Sequence, residues 1–301
     1  MSPDLQTFLL HLRQRDISAG TIGHYRVALE SFETWFTETT GQAPEPALIT
    51  SFDIREYREH LKLSYKPATI NRKLTNLALY FRWCIREGLA SADPTEHIKR
   101  VREQNGAPRW LTRQEVYKVR RAARQAVQMA QVKRLAYSVA ITVRTEAIVV
   151  LLLSTGLRVS ELCDLKLGDI KLSDKAGRVI VRWGKGDKRR EVPLNSDGRR
   201  ALRDWLKCRQ SDSPYLFVSE SGRMSRQLVQ WHLAALGREC GVHLSPHLLR
   251  HTFGKSLVDA GEPLDRVARL MGHSDVNTTA IYTMPSAYDL QRAVDKISWE
   301  D

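Results

Sequence analysis

Residues Arg178–Leu194, RVIVRWGKGDKRREVPL, contain the one clear strand pattern in the sequence. The β-branched run Arg178–Trp183 is bounded by Gly177 and Gly184, and Glu191–Leu194 can pair back on it across the basic segment between them. The sequence before and after this hairpin has the pattern of helices. The stretch therefore decides the fold class, which we predict to be mostly α with a small β hairpin or sheet.

Two segments of the first hundred residues have apolar side chains at steps of three and four, as on one face of an amphipathic helix. These side chains are Ile22, Tyr25, Leu29, Phe32 and Phe36, then Ile70, Leu74, Leu77, Phe81 and Cys84 after Pro67. We expect a helical bundle over residues 1–102 and a Gly- and Pro-containing linker over 103–110. A second domain over 111–301 would open with the capping box Thr112 and Glu115.

The net charge of +13 points to a polyanionic partner. Most of the excess lies after residue 110, where 32 basic residues stand against 21 acidic ones. A solvated basic surface is the alternative interpretation. In the second predicted helix, Arg72, Lys73, Arg82 and Arg86 lie outside the core stripe, where they could meet DNA phosphates or simply face water.

Other features of the composition are typical of a cytoplasmic protein. The longest apolar run, Ala147–Leu153, is far shorter than the roughly 18 residues that span a bilayer, so we expect no membrane segment. The first ten residues lack a basic stretch followed by an apolar one, so we expect no secretory signal. The four cysteines are isolated, which favours reduced thiols.

Two short segments carry unusual polar residues. Thr155–Leu162 (TGLRVSEL) places Arg158 three residues before Glu161, so the two side chains share a helix face and can pair, as an ordinary surface ion pair also would. The hairpin tip presents Lys185 between two glycines that allow a tight, projecting turn. Asp187 stands where a phosphate-binding P-loop needs Ser or Thr, which excludes that kind of nucleotide site.

A third segment, Ser245–His251 (SPHLLRH), begins with a good N-cap and first helical turn. His247 and Arg250 then face the same side of the helix. His247 and His251 could ligate zinc, but no third ligand is obvious, so we predict no metal site. Tyr282 follows in an amphipathic stretch, where a packed aromatic is the alternative interpretation.

These segments together suit metal-free phosphodiester transfer. Two guanidiniums can bind the non-bridging oxygens, where charge spreads in the transition state. A tyrosine, with a pKa of about 10 in water, needs positive neighbours or a base to attack. The leaving oxygen needs a proton, which a lysine can donate. The candidate residues are Arg158, Lys185, His247, Arg250, His273 and Tyr282.

The order Arg, Lys, His-x-x-Arg, His, Tyr resembles the tyrosine recombinase (phage integrase) family and is most similar to its compact Xer-type members. The motifs that carry the resemblance are TGLRVSEL, GKGDKRREVPL, HLLRHTF, LMGHSDVNTT and IYT, with ATINRKL in the amino-terminal part. The resemblance covers the whole chain, although Arg120–Ala140 is longer than its counterpart in the compact members. It implies a core-binding domain followed by a mixed α+β catalytic domain that together clamp duplex DNA.

The resemblance also implies a role for each candidate. Arg158 and Arg250 would hold the scissile phosphate, and Lys185 would protonate the leaving 5′-hydroxyl. His247 would handle protons at the nucleophile and His273 would hydrogen-bond a non-bridging oxygen. Tyr282 would form the 3′-phosphotyrosine link. Glu161 would orient Arg158. Independently of the resemblance, Lys188, Arg189 and Arg190 are basic neighbours of Lys185 that could also reach the DNA backbone.

The resemblance implies that no cofactor is needed. It also implies a tetramer on two DNA sites, built from copies of this chain or from this chain and a related recombinase. The segment after Tyr282 would pack on a neighbouring protomer. Two other functions remain open. A type IB topoisomerase would share the chemistry but act as a monomer, whereas the two-domain layout and short tail favour a recombinase. A DNA-binding regulator would need neither Tyr282 nor Lys185.

Overall fold

The computed structural model describes residues 1–15, 17–103, 109–134, 136–182, 189–273, 275–285 and 287–297. The chain forms two compact units, Met1–Asn105 and Gly106–Asp301. The predicted fold class, mostly α with small sheets, is confirmed.

The described residues of the first unit form four helices, α1 (Pro3–Gln14), α2 (Ala19–Thr40), α3 (Ser51–Lys62) and α4 (Pro67–Arg86). Both amphipathic helices predicted here are present. Pro67 occupies the first turn of α4, where its missing N–H costs nothing. An aromatic core that includes Trp35, Tyr57 and Phe81 joins the helices.

Lys73 does not lie outside the core of this unit, and that expectation was wrong. Its side chain is buried, and its ammonium donates to the Ser31 hydroxyl at 2.7 Å and lies 4.8 Å from the centre of the Tyr65 ring. Burial lowers the pKa of this lysine. The reason is helical spacing, since residue 73 lies three positions after Ile70 and four before Leu77, at the edge of the buried stripe.

The second unit has helices α5 (Arg113–Val132), α6 (Ala136–Thr155), α7 (Val159–Asp164), α8 (Ser196–Cys208), α9 (Arg226–Cys240), α10 (Pro246–Asp259), α11 (Leu264–Met271) and α12 (Ala287–Val294). The predicted capping box of Thr112 and Glu115 opens α5. Short 3₁₀ turns lie at Leu167–Asp169, Val276–Thr278 and Ala280–Thr283. The core of the unit includes Ile148, Leu151, Val179 and Phe217.

Among the described residues, one helix is long and apolar enough by length and composition to cross a membrane. This helix is α6, which extends the predicted run Ala147–Leu153 in both directions. It packs against α5, α8 and α10, and half of its most apolar stretch is buried inside the unit. The apolar composition of α6 therefore fits a central helix in the core of the unit.

In the part of this unit that the structure describes, the larger sheet has three antiparallel strands, β1 (Ile170–Leu172), β2 (Gly177–Val181) and β3 (Arg190–Pro193), in that order. The predicted pairing of β2 with β3 is confirmed, whereas β1 was not predicted. Val179 pairs with Val192, and both face the core. Val181 pairs with Arg190 at the start of β3. Two short strands, β4 (Val218–Ser219) and β5 (Gly222–Arg223), form a second hairpin.

Candidate active site

Arg158 and Glu161 form the first element of the site, at the start of α7. The predicted ion pair is confirmed: Nη1 of Arg158 donates to Oε1 of Glu161 at 2.9 Å, and the backbone N–H of Arg158 donates to Oε2 at 2.8 Å. The Glu161 side chain is only 2% exposed, whereas that of Arg158 is 32% exposed. The Arg158 guanidinium is therefore anchored from the interior while part of it remains open to solvent.

Arg250 is the second element and lies on α10, which Ser245 caps as predicted. Its Nη1 donates to the carbonyl of Gly156, two residues before Arg158, and its Nη2 donates to the carbonyl of Met271 at 2.8 Å. Burial, together with the nearby Arg158 charge, lowers the pKa of Arg250 to about 10. Arg250 therefore keeps its charge at neutral pH although it is buried.

The turn Met271–His273 links the two arginines. Gly272 ends α11 with φ +67°, a left-handed conformation that favours glycine. Its carbonyl accepts from Nη2 of Arg158 at 2.9 Å, one residue after the carbonyl that binds Arg250. His273 then shares a 2.8 Å hydrogen bond between its Nδ1 and the Thr279 hydroxyl. Burial and the nearby arginine charges lower the pKa of His273 to about 4, so it is neutral at pH 7.

Tyr282 and two histidines complete the cluster. The Tyr282 hydroxyl lies 2.8 Å from Nδ1 of His251, whose ring is 4.1 Å from that of His247, centroid to centroid. Burial, His247 and Arg250 together lower the pKa of His251 to about 4, and burial and the arginines also lower that of His247. A neutral His251 can accept the phenolic proton through Nδ1.

Tyr282 itself is enclosed in the second unit. It is 1% exposed, and its ring packs over Gly254 and Met271. Burial raises its pKa to about 12, although the Arg250 charge acts in the opposite direction. The described conformation therefore stabilises the phenol rather than the phenolate.

The sequence-predicted residues Arg158, His247, Arg250, His273 and Tyr282 thus lie in one cluster. Lys185 and Lys188, on the predicted hairpin tip, lie outside the described residues.

Sequence reasoning missed one member of this cluster and misjudged another. Arg190 binds both carboxylate oxygens of Glu161, at 2.8 and 2.7 Å, and nothing in the local pattern distinguishes it from its neighbour Arg189. His251 was weighed only as a metal ligand, yet it contacts the Tyr282 hydroxyl. The sequence feature that could have identified His251 is its position one residue after Arg250, which places it on an adjacent face of α10.

The candidate DNA contacts differ in exposure. Arg72, Arg82 and Arg86 on α4 are exposed, and Arg189 is exposed beside Glu191 at 3.2 Å. Lys73 is buried, as described above. Within the described part of the chain, no group of three or more His, Cys, Asp or Glu side chains is placed to hold a metal ion.

Comparison with known proteins identifies the class. Residues 122–288 match the phage integrase family, and residues 5–88 match the phage integrase N-terminal SAM-like domain. The tyrosine recombinase XerA of Thermococcus kodakarensis is 32% identical over 89% of this chain and 94% of its own length. XerC of Azotobacter vinelandii is 34% identical over 94% of this chain and 91% of its own.

Solved structures share the fold. XerH bound to its difH substrate after cleavage has a TM-score of 0.74 at 21% identity, covering 94% of this chain and 80% of that one. A λ integrase dimer on a core site has a TM-score of 0.70 at 18% identity, covering 91% and 95%. This chain belongs to the phage integrase family. It is a tyrosine recombinase, an enzyme that breaks and rejoins DNA strands at specific sites through a tyrosine-linked intermediate.

Proposed function

We propose that Tyr282 is the nucleophile. Its oxygen gives up its proton to His251 and attacks the scissile phosphorus, the bond to the 5′-oxygen breaks, and a 3′-phosphotyrosine forms while the leaving 5′-oxygen takes up a proton from Lys185. The 5′-hydroxyl of a partner strand then attacks the phosphotyrosine and returns its proton to Lys185, while Tyr282 is released and takes its own proton back from His251. Bonds and protons balance over the two steps, so no metal or cofactor is consumed.

Arg158 and Arg250 bind the non-bridging oxygens in this scheme. Each guanidinium has five N–H donors in a planar fork, and the hydrogen bonds described above use two of them. Their carbonyl partners fix both side chains before DNA arrives. Positioned positive charge of this kind acts where negative charge develops in the transition state. His273 donates to a further non-bridging oxygen.

His247 and His251 handle the proton of the nucleophile. His251 is within hydrogen-bond distance of the Tyr282 hydroxyl and takes up its proton, and the His247 ring packs 4.1 Å from the His251 ring, centroid to centroid. A phenol with a pKa of about 12 is a poor nucleophile at pH 7, so the buried arrangement is a resting state. Attack requires Tyr282 to leave the packing over Gly254 and approach the phosphate.

The amino-terminal domain, residues 1–102, and the catalytic domain, residues 111–301, would clamp the duplex between them. Phosphate contacts from Arg72, Arg82 and Arg86 on α4, and from Lys188 and Arg189 near the hairpin, would steer binding. Four protomers, of this chain or with a related recombinase, would exchange strands between two sites in the cytoplasm.

The observation that carries this proposal is the hydrogen bond of the Tyr282 hydroxyl inside a cluster with Arg250 and Arg158. Nicked duplexes tiled across the DNA that flanks the gene trap the covalent intermediate, because the short cleaved fragment diffuses away. Wild-type protein should form a denaturation-resistant adduct on one duplex. Tyr282→Phe should bind that duplex with similar affinity and form none, whereas the control Tyr288→Phe should retain the adduct. An adduct that persists in Tyr282→Phe contradicts the proposal.

A further inference from the structure

Arg190 is the one arginine of this cluster to which the recombination chemistry assigns no role. It lies at the start of β3, opposite Val181 on β2, and its side chain points inward with that of Val192. The side chain is 11% exposed, whereas that of the preceding Arg189 is 65% exposed. A guanidinium buried to this degree needs hydrogen-bond partners that offset the free-energy cost of its desolvation.

The partners of Arg190 are those that hold Arg158. Nη1 and Nη2 of Arg190 donate to Oε1 and Oε2 of Glu161 at 2.8 and 2.7 Å. Arg158 fills one further place on each oxygen, through Nη1 on Oε1 and its backbone N–H on Oε2. The buried carboxylate therefore accepts four hydrogen bonds from two arginines.

This sharing sets the orientation of Arg158. A carboxylate prefers a two-pronged contact with a guanidinium, and Arg190 already makes that contact with Glu161. Arg158 is left with one side-chain hydrogen bond to Oε1, and its Nη2 turns to the carbonyl of Gly272 at 2.9 Å. Without Arg190, Glu161 would be free to draw the whole Arg158 guanidinium onto itself and away from the phosphate.

Arg190 also contacts the turn that carries His273. Its Nε donates to the carbonyl of Leu270 at 3.3 Å. The guanidinium packs against Gly272 so closely that a Cβ there would lie 2.6 Å from Nη1 and 2.7 Å from Cζ. Gly272 therefore packs against the Arg190 guanidinium and also accepts the hydrogen bond from Arg158 through its carbonyl.

We propose that Arg190 is a positioning residue, which acts through Glu161 and Gly272 to hold the Arg158 guanidinium in the orientation that binds the scissile phosphate. Lysine cannot replace it, because an ammonium cannot bind both carboxylate oxygens in the geometry of a planar fork. The inference rests on the proposed role of Arg158 in cleavage.

A double-mutant cycle tests whether Arg190 acts through Arg158. The measured quantity is the single-turnover rate of adduct formation at saturating DNA, and thermal unfolding is measured on each variant. Arg190→Lys should slow cleavage on the order of 10- to 100-fold, as misplacement of a catalytic group does, with unchanged DNA affinity. In an Arg158→Ala background the same substitution should cost less than about threefold, because its effect passes through the missing side chain. Arg178→Lys is the matched control, because Arg178 lies on the exposed face of β2 and its side chain is 56% exposed. Its cleavage rate should stay within about twofold of wild type.

An equal loss from Arg190→Lys in both backgrounds, or no loss in either, overturns the inference. Failure of the proposed function is distinguishable, because Arg158→Ala alone would then leave cleavage intact. If Arg190→Lys unfolds at the assay temperature, the cycle is run with Arg190→Gln. This variant keeps an amide donor for Glu161 but not the fork, and the same two results decide.

Discussion

The packing of Tyr282 over Gly254 makes the resting state directly testable. A Cβ at residue 254 would lie 2.7 Å from Cζ and 2.8 Å from Cε2 of Tyr282, and 2.8 Å from Sδ of Met271. Carbon atoms do not approach this closely, so Gly254→Ala must displace the Tyr282 ring or the Met271 side chain. Gly23 is the matched control, because it also lies in a helix and a Cβ there would meet no atom within 4 Å.

The two substitutions should have opposite effects on stability. Replacing a helical glycine by alanine stabilises by up to about 1 kcal/mol, which Gly23→Ala should show. Gly254→Ala has the same gain but overfills a packed site, at a cost of about 1–3 kcal/mol. Because the alanine gain is the same with Tyr282 packed or displaced, an overfilling cost near 1.4 kcal/mol would by itself favour displaced Tyr282 about tenfold relative to wild type.

Nitration by tetranitromethane, quantified for each tyrosine by fragmentation mass spectrometry, reports the exposure of the ring. Tyr282 should be nearly unreactive in wild type and in Gly23→Ala, and should react roughly tenfold faster in Gly254→Ala. Chemical denaturation supplies the stability change in parallel. If Gly254→Ala is stabilised as much as Gly23→Ala and leaves Tyr282 unreactive, the packed resting state is refuted.

Three further outcomes follow from the site. Cleavage should survive excess EDTA, because arginines take the place of metal ions; loss with chelator and recovery with Mg²⁺ or Zn²⁺ would contradict this. Lys185→Ala should be largely rescued by a 5′-bridging sulfur, which leaves without a proton, whereas Arg158→Ala should not; rescue of Lys188→Ala instead would move the acid to that residue. The free energy of unfolding should fall as pH drops from about 6.5 to about 4, because the unfolded chain binds protons that folded His251 excludes; thermal unfolding of His251→Gln should show a weaker pH dependence, and an equal one would contradict the assignment.

The local parts of this structure could be predicted from the sequence. The capping box at Thr112, the cap at Ser245 and the ion pair of Arg158 with Glu161 each depend on residues three positions apart. The pairing of β2 with β3 depends on their closeness in the sequence and on alternation that sends Val179 and Val192 to the core. Such features follow from helix and strand geometry alone.

Contacts between distant residues could not be predicted in this way. Arg190 binds Glu161, which lies 29 residues away in the sequence, and His251 contacts Tyr282, which lies 31 residues away. In sequence, Arg190 resembles an exposed basic residue of the hairpin, and its burial depends on how β3 packs against α11. Lys73 is the opposite case. Helical spacing alone places it beside Leu77, but a charged side chain is ordinarily expected at the surface, so its burial was not predicted.

The identity of the residue that is joined to DNA tests the account most directly. Trypsin cleaves after Arg269 and Arg292, so one peptide, residues 270–292, carries both Tyr282 and Tyr288. After nuclease trimming of the trapped adduct, fragmentation of this peptide should locate a 3′-linked nucleotide phosphate on Tyr282. A phosphate on Tyr288, or an adduct on any other peptide, would contradict the account.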